Sequence, residues 1–61
     1  MSEVLNTVNG IESLVREYLS EEEKFTGGNK TAGTRARKLL SEIGKLTKQR
    51  RAEIQEIKNN A

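Results

Sequence analysis

The chain has 61 residues, one third apolar and one third charged, with a net charge of +2 and no cysteine, histidine, tryptophan or proline. A chain this short forms one domain at most and buries only about 60% of its unfolded surface, so it needs a staple. The missing cysteines and histidines remove disulfides, most zinc schemes and the commonest catalytic base. No apolar run approaches the ~20 residues of a membrane span, and the N-terminus lacks a signal peptide's apolar region. The expectation is a small soluble intracellular protein, one domain over residues 1–61, stabilised by self-association.

The first element is an amphipathic helix over about residues 2–25. Val4, Val8, Ile11, Val15, Tyr18 and Phe25 recur at steps of four and three, with Glu22 in the one missing place and Leu5, Leu14 and Leu19 widening the stripe. Ser2 suits the N-cap and Glu3 the positive end of the helix dipole. Asn9 with Glu12 three residues later also reads as a capping box, which would restart the helix at Gly10. The stripe passes that site without a change of phase, which favours one helix with a soft point at Gly10. A glycine inside a helix costs roughly 0.5–1 kcal/mol relative to alanine.

The turn falls at 26–29. The pair Gly27-Gly28 can adopt the left-handed conformation that ends a helix, and Asn29 can cap the next one. So short a connection makes the helices antiparallel neighbours. The second helix runs over about 30–59, where Ala36, Leu40, Ile43, Thr47, Arg50, Ile54, Ile57 and Ala61 keep the four-three rhythm beside Leu39 and Leu46. At 1.5 Å per residue it spans about 45 Å against roughly 33 Å for the first, so Ile54 and Ile57 are expected on an overhang. A lone hairpin cannot bury both stripes. The expected fold is therefore all-α, an antiparallel two-helix hairpin that dimerises into a four-helix bundle. Arg50, polar within the seam, either pairs with a glutamate of the first helix, fixes register in the dimer, or snorkels to solvent.

Charge is divided between the helices. Up to Gly27 there are six glutamates against Arg16 and Lys24; from Gly28 on, nine cations face three glutamates, giving −4 and +6. Such asymmetry points to a polyanion partner. On a wheel at 100° per residue with Ala36 at zero, Lys30, Arg37 and Lys48 fall near 100–120°, Lys45 and Lys38 near 180–200°, and Arg51 near 60°. Thr34 and Ser41 lie between them, while Arg35, Glu42 and Glu53 take the other flank. A cation row on a rigid rod matches duplex phosphates spaced ~1.7 Å along the axis. Asn29, Lys30 and Thr31 open the helix, where free N–H groups favour phosphate; Gly28 and Gly33 would let a backbone come close and Gly44 leaves a shallow spot among the lysines, although ending one helix and beginning the next explains Gly27 and Gly28 better. The candidate DNA contacts are Lys30, Thr34, Arg35, Arg37, Lys38, Lys45, Lys48 and Arg51. A plainer account makes the basic face a solvated complement to Glu17, Glu21, Glu22 and Glu23, which neutralise part of it near the turn.

No aromatic residue interrupts the basic run, so single-strand stacking is not expected, and nothing presents polar side chains to base edges. Binding should fall on the phosphates with little sequence preference. Residues 27–34 hold glycines and a lysine but not the GxxxxGK[ST] order, and no strand precedes them. With no thiol, imidazole or enclosed pocket, the chain is expected to be a non-enzyme without cofactor, metal or small-molecule substrate.

The run Gly28-Asn29-Lys30-Thr31-Ala32-Gly33-Thr34-Arg35-Ala36-Arg37-Lys38, followed by a helix ending Arg51-Ala52-Glu53-Ile54-Gln55-Glu56-Ile57-Lys58-Asn59, resembles the linker-histone-like proteins of bacteria and their phages. These are short relatives of the chlamydial nucleoid-condensing histone-like proteins. The resemblance covers 28–59 and implies architectural DNA binding by a small helical protein, with Lys30, Arg35, Arg37 and Lys38 as phosphate contacts. Lys45, Lys48 and Arg51 extend that track by the wheel. It also implies a place in the cytoplasm on the nucleoid, or in the virion or infected cell for a phage protein.

Two readings compete. The first is a homodimer that binds duplex DNA, or structured RNA, through phosphates. The second is an interaction module whose basic helix docks an acidic protein partner. A membrane-surface helix is disfavoured, since the apolar stripe lacks tryptophan and is needed for the bundle.

Overall fold

The computed structural model describes the backbone of residues 2–60 and the side chains of residues 6–60. Two helices, α1 (Ser2–Thr26) and α2 (Lys30–Asn60), pack antiparallel into a rod of 48 × 16 × 12 Å. The expected cap at Ser2, the dipole role of Glu3 and the stripe positions Val4, Leu5 and Ala61 lie outside the described side chains.

The turn forms as its glycines dictate. Gly28 takes φ 106°, the left-handed region open to glycine. Its N–H donates to the Phe25 carbonyl at 2.9 Å, and the Asn29 N–H reaches back to the Lys24 carbonyl at 3.1 Å. These two bonds are the Schellman pattern that satisfies the last carbonyls of a helix. Asn29 then starts the next helix: its Oδ1 accepts from the Ala32 N–H at 3.1 Å. One asparagine thus closes α1 and opens α2. The Thr26 hydroxyl donates to the Glu23 carbonyl at 2.9 Å and holds α1 helical one residue beyond the expected end.

α1 is continuous through Gly10, and the structure supplies a different reason for that glycine. An ideal Cβ there would stand 3.1 Å from Leu46 Cδ1, so Gly10 is where α2 comes close. Gly33 does the same at the turn end, where a Cβ would fall 2.6 Å from the Phe25 ring. The residues buried most completely are small: Ala32 and Ala36 beside the turn, and Thr7 at the far end. Among the described residues, no large side chain is fully buried. Two helices share only one line of contact, too few neighbours to surround a leucine or isoleucine.

The expected overhang is present but shorter, about 9 Å, and it does not include Ile54. α1 and α2 differ by six residues (25 and 31), and Thr7 hydrogen-bonds Glu53 across the hairpin at 2.8 Å. Ile54 therefore lies alongside the first turns of α1, and the last one to two turns of α2 run past it. Arg50 pairs with Glu53 of its own helix at 3.2 Å rather than with a glutamate of α1. That carboxylate also accepts from Thr7 and from Gln49, at 3.1 Å, so Arg50 connects to α1 through it.

Candidate nucleic-acid interface

All eight residues expected to meet DNA are exposed on α2, but they do not share one surface. The position of α1 divides them. On one side of the hairpin Lys30, Thr34 and Arg37 line a groove of ≈ 250 Å³ with Phe25, Gly33, Ala36, Leu40 and Glu22. On the other side Arg35 and Lys38 line a groove of ≈ 430 Å³ with Glu17, Glu21 and Glu42. Lys48 and Arg51 continue the Lys30–Arg37 side two to three turns further on, and Lys45 stands nearly opposite the apolar line.

Ion pairs divide the same residues. Arg35 Nε donates to Glu21 Oε1 at 2.6 Å, and Lys24 Nζ lies 3.5 Å from the other oxygen. The hydrogen bond from Arg35 holds the Glu21 carboxyl below the ordinary glutamate range. Arg35 thus clasps α2 to α1 near the turn. Arg16 is paired with Glu12 at 2.8 Å, and Arg50 with Glu53. Among the described residues, no carboxylate lies within ion-pair distance of Lys30, Arg37, Lys38, Lys45, Lys48 or Arg51.

The helix start is less open to an anion than its sequence suggests. Of the N–H groups that open α2, those of Asn29 and Ala32 are already bonded within the turn and cap. Of the three glycines expected to leave room, Gly28 shapes the turn and Gly33 receives the Phe25 ring. Gly44 is exposed with nothing within 4 Å of an added Cβ, a bare length of helix between Lys45 and Lys48 on the wheel and the apolar line.

Sequence reasoning missed the cluster at the open end of the hairpin. Thr7, Gln49, Arg50 and Glu53 form one hydrogen-bonded group, and the bond from the Thr7 hydroxyl is the first cause holding Glu53 below the ordinary glutamate range. Gln49 and Glu53 four residues apart on one helix face were the visible sign; Thr7 comes from 42 positions before Gln49.

No helix of the described residues is long and apolar enough to cross a membrane, and no cluster among them suits a metal ion. The model of a family described as Histone H1-like protein Hc1 matches residues 5–60. No curated protein and no solved structure matches the chain.

Proposed function

The chain belongs to this histone H1-like family, and from that membership we propose that it is an architectural protein that binds duplex DNA through phosphates and helps to organise a genome. A histone-like family of this kind is one of DNA-binding structural proteins rather than enzymes. The observation that carries the finer reading is the set of exposed cations on α2 with no carboxylate partner among the described residues, along a rigid rod about 46 Å long. Lys30, Arg37, Lys48 and Arg51 form its main row, Lys38 and Lys45 a second line, and Thr34 adds a hydroxyl. Arg35 acts chiefly as a clasp. The chain has no tryptophan and α2 no aromatic residue, which supports contact with phosphate rather than bases. Structured RNA offers the same phosphates with lower charge regularity.

A homodimer forming a four-helix bundle accompanies this reading. Val8, Leu19, Phe25, Leu40, Ile54 and Ile57 are each 40% exposed or more, a large apolar share for a chain with so little core. Dimerisation doubles the cations offered to one duplex. The place of action is then the nucleoid of a bacterial cytoplasm, or a phage genome. A second reading, docking of the basic helix onto an acidic protein, is favoured by one observation: Lys30 and Arg37 border an apolar groove.

Fluorescence anisotropy of random-sequence duplex titrated across a salt series tests the proposal. Log affinity should fall linearly with log salt, by about 0.9 per phosphate neutralised. Absence of binding at low salt would leave the acidic-partner reading in its place.

A further inference from the structure

One side of the hairpin is self-complementary along α2. Toward its N-terminal end lies the groove floored by Phe25, Gly33, Ala36 and Leu40, walled by Glu22 on α1 and Arg37 on α2. Toward its C-terminal end Ile54 stands 44% exposed, and Ile57, 48% exposed, lies on the neighbouring flank about 60° from it on the wheel. Leu40, Thr47 and Ile54 are one heptad apart and fall within about 40° on the wheel, so Thr47 is midway between groove and ridge. Its hydroxyl donates to the Gly44 carbonyl at 2.9 Å, turned back on its own helix. Thr47 is itself exposed.

A two-fold interface requires that if residue i meets residue j, then j meets i. An antiparallel crossing with Thr47 on the axis meets this condition: Leu40 faces Ile54, and Ile57 reaches the groove. We propose that a second copy of this chain docks here, α2 antiparallel to α2 about Thr47, with Ile54 and Ile57 of each copy seated in the groove of the other. This rests on the homodimer reading above and gives it a surface and a register.

Charge supports that occupant. Lys58 follows Ile57, and Glu22 stands in the groove wall, its Oε1 accepting from the Tyr18 hydroxyl at 2.9 Å. The crossing brings Lys58 of one copy to Glu22 of the other. Along the opposite edge of the seam Arg37, Lys48 and Arg51 of both copies come together. Gly44, with open space beyond it, leaves room for the Arg51 stem of the second copy. The two cation rows merge into one strip on the α2 edge, away from the acidic α1 helices. Like charges repel across that seam, so a polyanion laid along it tightens the dimer.

Single cysteines report the register directly, because the chain has none of its own. Under mild oxidation Thr47→Cys, on the axis, should cross-link at least tenfold faster than Lys45→Cys, on the far face, and random duplex DNA should accelerate it further. Sedimentation equilibrium of the unmodified chain separates the failures. Dimers in which both cysteines cross-link equally overturn the register and leave the homodimer; monomers at every concentration overturn both. Ile57→Glu, at an exposed site, should yield a helical monomer, and an undiminished dimer counts against the groove. DNA that leaves the Thr47→Cys rate unchanged removes the merged strip.

Discussion

Arg35 and Glu21 face each other across the hairpin at 2.6 Å, fourteen residues apart in the chain, with Arg35 half exposed and the carboxylate largely covered. Their bond takes the arginine out of the set of free cations and puts it to work on the hairpin. On the proposed reading, a cation's contribution to DNA binding should depend on whether a carboxylate of α1 already engages it.

Arg35→Gln and Arg37→Gln should therefore differ. Arg37→Gln should weaken duplex binding severalfold at moderate salt and reduce the salt slope by about 0.9, with an unchanged melting midpoint. Arg35→Gln should keep affinity within about twofold and lower the midpoint instead. Equal loss of affinity in both variants would sink the division of the two sides.

The glycines of α2 give opposite expectations from one substitution. Gly44→Ala meets nothing within 4 Å and should stabilise the helix by about 1 kcal/mol. At Gly33 the same methyl meets the Phe25 ring at 2.6 Å and must push it outward, offsetting that gain. Thermal melts should place the two variants about 1–2 kcal/mol apart. In a Phe25→Ala background the gap should close.

Glu21 and Glu53 make hairpin stability depend on acid. Both are held below the ordinary glutamate value near 4.5, Glu21 first by Arg35 and Glu53 first by Thr7. A carboxylate with a lowered folded pKa contributes stability above its unfolded pKa and loses it as pH falls through the folded one. The melting midpoint should hold from neutrality down to about pH 5 and decline below about 4.5. A double Glu21→Gln, Glu53→Gln variant should start lower and show a flatter acid limb.

Thr7→Val keeps the shape of a buried side chain and removes the donor to Glu53. It should lower the melting midpoint and return the Glu53 carboxyl toward the ordinary range, as followed by carbon-detected NMR titration. DNA affinity should stay unchanged, since Thr7 is an uncharged side chain buried in the seam.

Much of this molecule is legible without coordinates. The four-three spacing from Val8 to Phe25 and from Ala36 to Ile57 determines two amphipathic helices, because a helix places residues three and four apart on one face. Gly27-Gly28-Asn29 determines the turn, since few residues besides glycine adopt the left-handed angle and asparagine caps well. The accumulation of cations after Gly28 is equally local. What only the tertiary structure decided is which part of each wheel meets the other helix. That choice buried Ala32 and Ala36 instead of the larger residues, put Leu46 against Gly10 and the Phe25 ring against Gly33, and gave Arg35 to Glu21 while leaving Arg37 free. Spacing on a single helix fixes angles about its own axis; where the second axis lies depends on side-chain volumes in both helices at once.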